Sequence, residues 1–102
     1  MLAELYAVLL QRFAKDHRLT VWHLATMLAI LQLATKEDTN QPIYISRLKV
    51  MELAHIGSIA TYHKCIRELE DFGYIDYIPS YHPGIRTEVW LKIRPDKKEE
   101  SR

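Results

Sequence analysis

A chain of 102 residues holds one small domain and its core, and is too short for two. With 48% hydrophobic and 26% charged residues it has the composition of a globular domain, which argues against disorder. The formal net charge of +1 does not by itself point to nucleic acid, so charge distribution matters more than the sum. No run is apolar enough to span a bilayer. Glu4 interrupts the apolar first ten residues, which lack a basic leader and a small-residue cleavage site, so no signal peptide is expected. A single cysteine, Cys65, cannot form an internal disulfide, which fits a reducing cytoplasm.

Residues 2–16 predict an amphipathic helix with Leu2, Leu5, Tyr6, Leu9 and Phe13 on one stripe, widened by Val8 and Leu10. Lys15, Asp16, His17 and Arg18 break the pattern. Thr20 is the candidate N-cap of a second helix running to about Thr35. Its main stripe is Val21, Leu24, Leu28 and Leu31, and a second contains Trp22, Ile30 and Leu33. A helix apolar on two sides is expected to be buried on two sides. Residues 36–42 read as a polar loop and Ile43-Tyr44-Ile45 as a short strand. Ser46 caps a third helix, about residues 47–54, offering Leu48, Met51 and Leu53 to the core.

His55 to Ile75 is the most informative stretch. Gly57 is expected to take the positive φ that ends the third helix and redirects the chain. Ser58 is a good N-cap for a fourth helix, about residues 58–72. Tyr62, Cys65, Ile66, Leu69 and Phe72 form its apolar stripe at spacings of three and four. Gly73 stands where a helix end calls for left-handed φ. Residues 74–78 and 86–93 then read as two strands joined by a Pro- and Gly-bearing turn, with Val89, Leu91 and Ile93 on one face and Trp90 on the other. The tail after Pro95 is charged.

The order is helix, helix, short strand, helix, turn, helix, hairpin. From about Leu19 to Ile93 the chain resembles the bacterial winged helix-turn-helix regulator superfamily. The resemblance rests on I-S-R-L at Ile45–Leu48, the turn Ile56-Gly57-Ser58, Thr61 three residues after the cap, and E-L-E-D-F-G-Y-I at Glu68–Ile75. The run P-S-Y-H-P-G at Pro79–Gly84 more loosely resembles small winged-helix proteins of Bacteroides-type bacteria, some linked to mobile elements. The fold class expected is mainly α with a small β-hairpin, a winged helix with an extra N-terminal helix. Residues 1–17 form that helix, suited to dimerisation; residues 18–94 form the DNA-binding domain; residues 95–102 form a charged tail.

Opposite the apolar stripe of the fourth helix fall Ala60, His63, Lys64 and Arg67. Ser58, Ala60 and Thr61 lie at the end that enters the major groove in helix-turn-helix docking. Lys64 and Arg67 suit phosphates or a guanine edge, while Glu68, Glu70 and Asp71 gather at the far end, where they repel the DNA backbone least. The plain alternative is a solvated face with ordinary charges. Thr61 lies at the margin of the stripe, where packing is an equal reading. Arg47 and Lys49 begin the third helix and could hold backbone phosphates. His82 and Arg86 sit near the hairpin tip, within reach of flanking DNA; turn geometry explains Pro83 and Gly84 but not Arg86.

No metal site, cofactor site or catalytic motif is expected. His63 and Cys65 are two apart on a helix and point to different sides, and there is no second Cys/His pair with zinc spacing. No Gly-rich phosphate loop or nucleophile elbow occurs. The expected function is sequence-specific binding of double-stranded DNA by a cytoplasmic, homodimeric transcriptional regulator, not an enzyme. The rivals are a winged-helix module that binds protein, and a DNA-binding accessory of a mobile element acting in replication, excision or transfer. No membrane role is expected. The sequence names no small-molecule effector, although space between the first two helices is one place for it.

Overall fold

The computed structural model describes residues 2–34, 41–82 and 84–93. The element order is α1 (Leu2–Lys15), α2 (Val21–Gln32), β1 (Ile43–Ile45), α3 (Arg47–Ala54), α4 (Ile59–Asp71), β2 (Ile75–Ile78) and β3 (Thr87–Leu91). The chain is thus mainly helical with one three-stranded antiparallel sheet. The short strand and the hairpin read from the sequence are both present, and β1 joins the hairpin, giving the order β1-β3-β2. Ile43 pairs with Val89 and Ile45 with Thr87 on one edge of β3. Ile75 pairs with Leu91 and Tyr77 with Val89 on the other.

The strands alternate as a half-buried sheet should. Ile43, Ile45, Ile75, Val89, Leu91 and Ile93 turn into the core. Trp90 stays half-buried on the opposite face, its indole N–H donating to Glu88 Oε1 at 3.1 Å.

Helix α2 is the hub, in contact with α1, α3, α4 and β1. Its buried face matches the expected stripes in part: Ile30 and Leu31 are buried and Leu24, Leu28 and Leu33 pack half-buried against the core. Val21, expected inside, is 68% exposed, and Trp22 is 49% exposed. His23, Thr26, Met27 and Ala29, which neither stripe contains, are buried. An almost wholly apolar helix has several equivalent stripes, and two polar residues decide among them here. Thr26 satisfies its own hydroxyl by donating to Trp22 O at 2.8 Å. His23 accepts the Thr20 backbone N–H at Nδ1, 2.9 Å away. Both residues can therefore go inside without an orphaned polar group. Helix α1 lays Leu5 and Leu9 into the core and leaves Leu10 exposed.

Ser46 and Ser58 cap α3 and α4 as expected, their hydroxyls accepting from the N–H groups of Lys49 and Thr61 at 3.3 Å. The inward face of α3 is corrected: Val50, Met51 and Ala54 are buried, whereas Leu48 is 69% exposed and Leu53 is also exposed. The role given to Gly57 is corrected too. His55 takes the left-handed conformation (φ 59°, ψ 42°), and Gly57 does not have positive φ. The left-handed residue has to follow the last helical one directly, and Gly57 comes too late. The N–H of Ile56 reaches Met51 O at 2.9 Å and that of His55 reaches Glu52 O at 3.3 Å, closing a Schellman motif. Helix α4 ends in the same way, with Gly73 at φ 86° and Tyr74 N–H donating to Leu69 O at 2.9 Å. Helix α2 ends at Gln32 with Leu33 as its C-cap, short of the expected end near Thr35. Thr35 itself, most of the 36–42 loop, Pro83, and the tail from 95 onward lie outside the described residues.

Candidate nucleic-acid interface

Helix α4 divides cleanly. Tyr62, Cys65, Ile66 and Leu69 are buried and Phe72 is half-buried. Ala60, His63, Lys64 and Arg67 are exposed on the other side, and Ser58 is exposed at the cap. Thr61 is half-buried, at the margin between the two.

The buried side is held by specific contacts. Tyr62 Oη lies 3.1 Å from Tyr77 Oη, tying α4 to β2. Burial raises the Tyr62 phenol well above its usual range, and the Tyr77 hydroxyl adds to the effect. Burial likewise raises the Cys65 thiol, so this cysteine is a core group and not an activated nucleophile. Arg47, exposed at the start of α3, is close enough to Tyr62 to act on it electrostatically.

The acids near the end of α4 have structural partners. Glu68 Oε1 meets buried His23 Nε2 at 2.7 Å. Glu70 Oε2 accepts the Tyr77 backbone N–H at 2.9 Å. By contrast, Lys64, Arg67, Arg47 and Arg86 have no carboxylate partner among the described residues. Lys49 is engaged with Glu52 at 3.8 Å, an exposed pair of small energetic weight.

Residues 79–86 connect β2 to β3. His82 and Arg86 are exposed there, and Gly84 takes φ 84° as the turn requires. Two apolar neighbours in this loop are not among the site residues expected from the sequence. Tyr81 is 87% exposed and Ile85 is also exposed. Ile59, in the first turn of α4, is exposed as well. The available signal was a large apolar residue in a turn segment that no core face can reach.

These groups can attract anions and offer apolar contact. Exposed His63 and buried Cys65 diverge, and among the described residues no group of three His, Cys, Asp or Glu side chains is placed to hold a metal ion. Among them, too, no helix is long and apolar enough to cross a membrane. Comparison of the chain with protein-family models, with curated proteins and with solved structures gives no match.

Proposed function

We propose that the chain is a winged helix-turn-helix domain that binds double-stranded DNA and acts as a transcriptional regulator. One observation carries the reading. Helix α4, reached through a short capped turn from α3, exposes Lys64 and Arg67 opposite its buried stripe, and neither has a carboxylate partner among the described residues. Helix α4 is the recognition helix, with Ser58, Ala60 and Thr61 at the end that enters the major groove. The 79–86 loop is the wing, with Arg86 on flanking DNA. Arg47 at the start of α3 is a backbone contact. The β1-β3-β2 sheet behind a helix-turn-helix is the arrangement this reading requires. A homodimer would present two such helices to a palindromic site.

Selection from a random duplex library with the purified protein, at two salt concentrations, tests the proposal. Enrichment of a defined site, with affinity falling as salt rises, is expected. Absence of both enrichment and salt-dependent retention would refute it. The exposed apolar residues Leu48, Ile59, Tyr81 and Ile85 favour a second reading, a winged-helix module that docks on protein. A negative selection would turn attention to it.

A further inference from the structure

An open groove of about 610 Å³ lies where α1 ends, between that helix and the Phe72–Tyr74 corner after α4. Its volume falls in the range of small-molecule sites, roughly 300–1,000 Å³. Val8, Phe72 and Tyr74 supply apolar and aromatic wall, and Arg12, Lys15 and Arg18 supply three cations against one carboxylate, Asp16.

That carboxylate is fully committed. Arg18 grips it in a fork, Nε donating to Oδ1 at 2.9 Å and Nη2 to Oδ2 at 2.8 Å. Tyr74 Oη donates to Oδ2 at 2.8 Å. The pair cancels its own charge and fixes the walls, with the Arg18 guanidinium 4.4 Å over the Phe72 ring. Arg12 and Lys15 are left without a carboxylate partner among the described residues. Arg12 stands 6.0 Å from the centre of the Tyr74 ring. Free cations beside an aromatic wall complement a ligand that has a flat apolar body and a negative group.

We propose that this groove binds a small aromatic anion, its carboxylate or phosphate on Arg12 and Lys15 and its ring against the half-buried Val8 and Phe72, with buried Tyr74 as the floor beneath Arg12. The site is separate from the face assigned to DNA. Ala60, in the first turn of α4, and Phe72, its C-cap, are twelve positions apart, about 18 Å of helix.

The test is a ¹H–¹⁵N NMR titration with 1-naphthoate. Saturable shifts centred on Val8, Arg12, Lys15 and Phe72 are expected. The double variant Arg12→Gln/Lys15→Gln should bind about tenfold more weakly or worse, with an unchanged melt because both side chains are exposed. 1-Naphthamide, which lacks the charge, and inorganic phosphate, which lacks the ring, should each bind more weakly. Undiminished binding by the double variant, an equal response to naphthamide, or no saturable shift in the groove would overturn the proposal. A duplex DNA arm separates this site from the interface above. The double variant should keep the wild-type salt slope, whereas a drop of about two units would make Arg12 and Lys15 DNA phosphate contacts and overturn the assignment.

Discussion

His23 Nε2 lies 2.7 Å from Glu68 Oε1, joining the first turn of α2 to the last turns of α4 across 45 residues of sequence. The partner at the other ring nitrogen fixes the tautomer. Nδ1 faces the Thr20 backbone N–H at 2.9 Å, so it has to accept, and Nε2 carries the proton donated to Glu68. Glu68 therefore positions the candidate recognition helix; it is not merely an acid kept away from DNA.

Removing that acceptor strands a buried N–H. Glu68→Ala should destabilise the fold by about 1–3 kcal/mol, and Glu68→Gln, which keeps an acceptor oxygen, by less. Urea unfolding of the three proteins measures the order. Equal midpoints for wild type and Glu68→Ala would show that the contact contributes nothing. In ¹⁵N NMR of the imidazole, Nδ1 should give the signal of an unprotonated nitrogen.

Lys64→Ala and Arg67→Ala should each weaken duplex binding without lowering the melting temperature. Both side chains are exposed and have no carboxylate partner among the described residues. If the side chain meets a phosphate, its removal reduces the salt slope by about one unit and acts on all sequences alike. If it meets a base, its removal instead relaxes specificity at one position, by about 1–3 kcal/mol. Titrations against matched and mismatched duplexes tell the two apart. Unchanged affinity in the double variant would remove α4 from the interface.

Arg86→Ala should affect affinity more than stability. The side chain is exposed beyond the end of the β2–β3 ladder, and such substitutions change stability by at most about 0.5 kcal/mol. Gel-shift titrations and thermal melts of one preparation give both quantities. A lowered melt with intact binding would assign Arg86 to the sheet.

Local signals were legible and non-local ones were not. The start of α3 and both ends of α4 follow from Ser46, Ser58, Gly73 and the 62-65-66-69 spacing, all within one turn or two of the feature they predict. The pairing of Ile43 with Val89 joins residues 46 apart, and a three-residue strand carries no pattern that names its partner. The face of α2 depended on which polar side chains would find acceptors, and His23 finds its own on α4. The Asp16–Tyr74 bond spans 58 residues, so the groove it braces has no sequence signature. The exposed cations of the candidate interface were legible because they are simply what remains when the apolar stripe is removed.

The same Asp16 makes stability depend on acid. The Arg18 fork, with the Tyr74 hydroxyl beside it, holds its carboxyl well below the usual carboxylate range. A depressed folded-state pKa contributes stability that is complete above the unfolded value near 3.8 and is lost as the pH falls further. Asp16→Asn should therefore unfold at lower urea than wild type at pH 7, and the gap should narrow toward pH 2. A gap that is constant with pH would mean that packing, not charge, is what the substitution removes. At the other extreme, burial and the contact to Asp16 push the Tyr74 phenol up to about 12. Its contribution is complete below the ordinary tyrosine value of 10.0 and is lost as the pH rises toward 12.

A homodimer, if it forms, uses less surface than the apolar stripes suggest. The face of α2 expected to meet a second copy included Ile30 and Leu33, but Ile30 is fully buried and Leu33 half-buried within the chain. Helix α1 folds back onto the core through Leu5 and Leu9, so it cannot offer its whole stripe to a partner. Among the described side chains of these stripes, those left exposed are Leu10 on α1 and Val21 and Trp22 at the start of α2. A twofold contact through these three would cover them, and reading a palindrome would require it to place two α4 helices on half-sites about 34 Å apart or a multiple of that. Light scattering of the intact protein should give the mass of two chains at micromolar concentration. Leu10→Ser/Trp22→Ser should give one chain with its fold intact, since neither side chain is in the core. That variant should also lose affinity for a palindromic duplex while keeping its affinity for a half-site. An intact protein that scatters as a single chain would leave DNA recognition to the monomer, and a double variant that remains dimeric would move the interface to another surface.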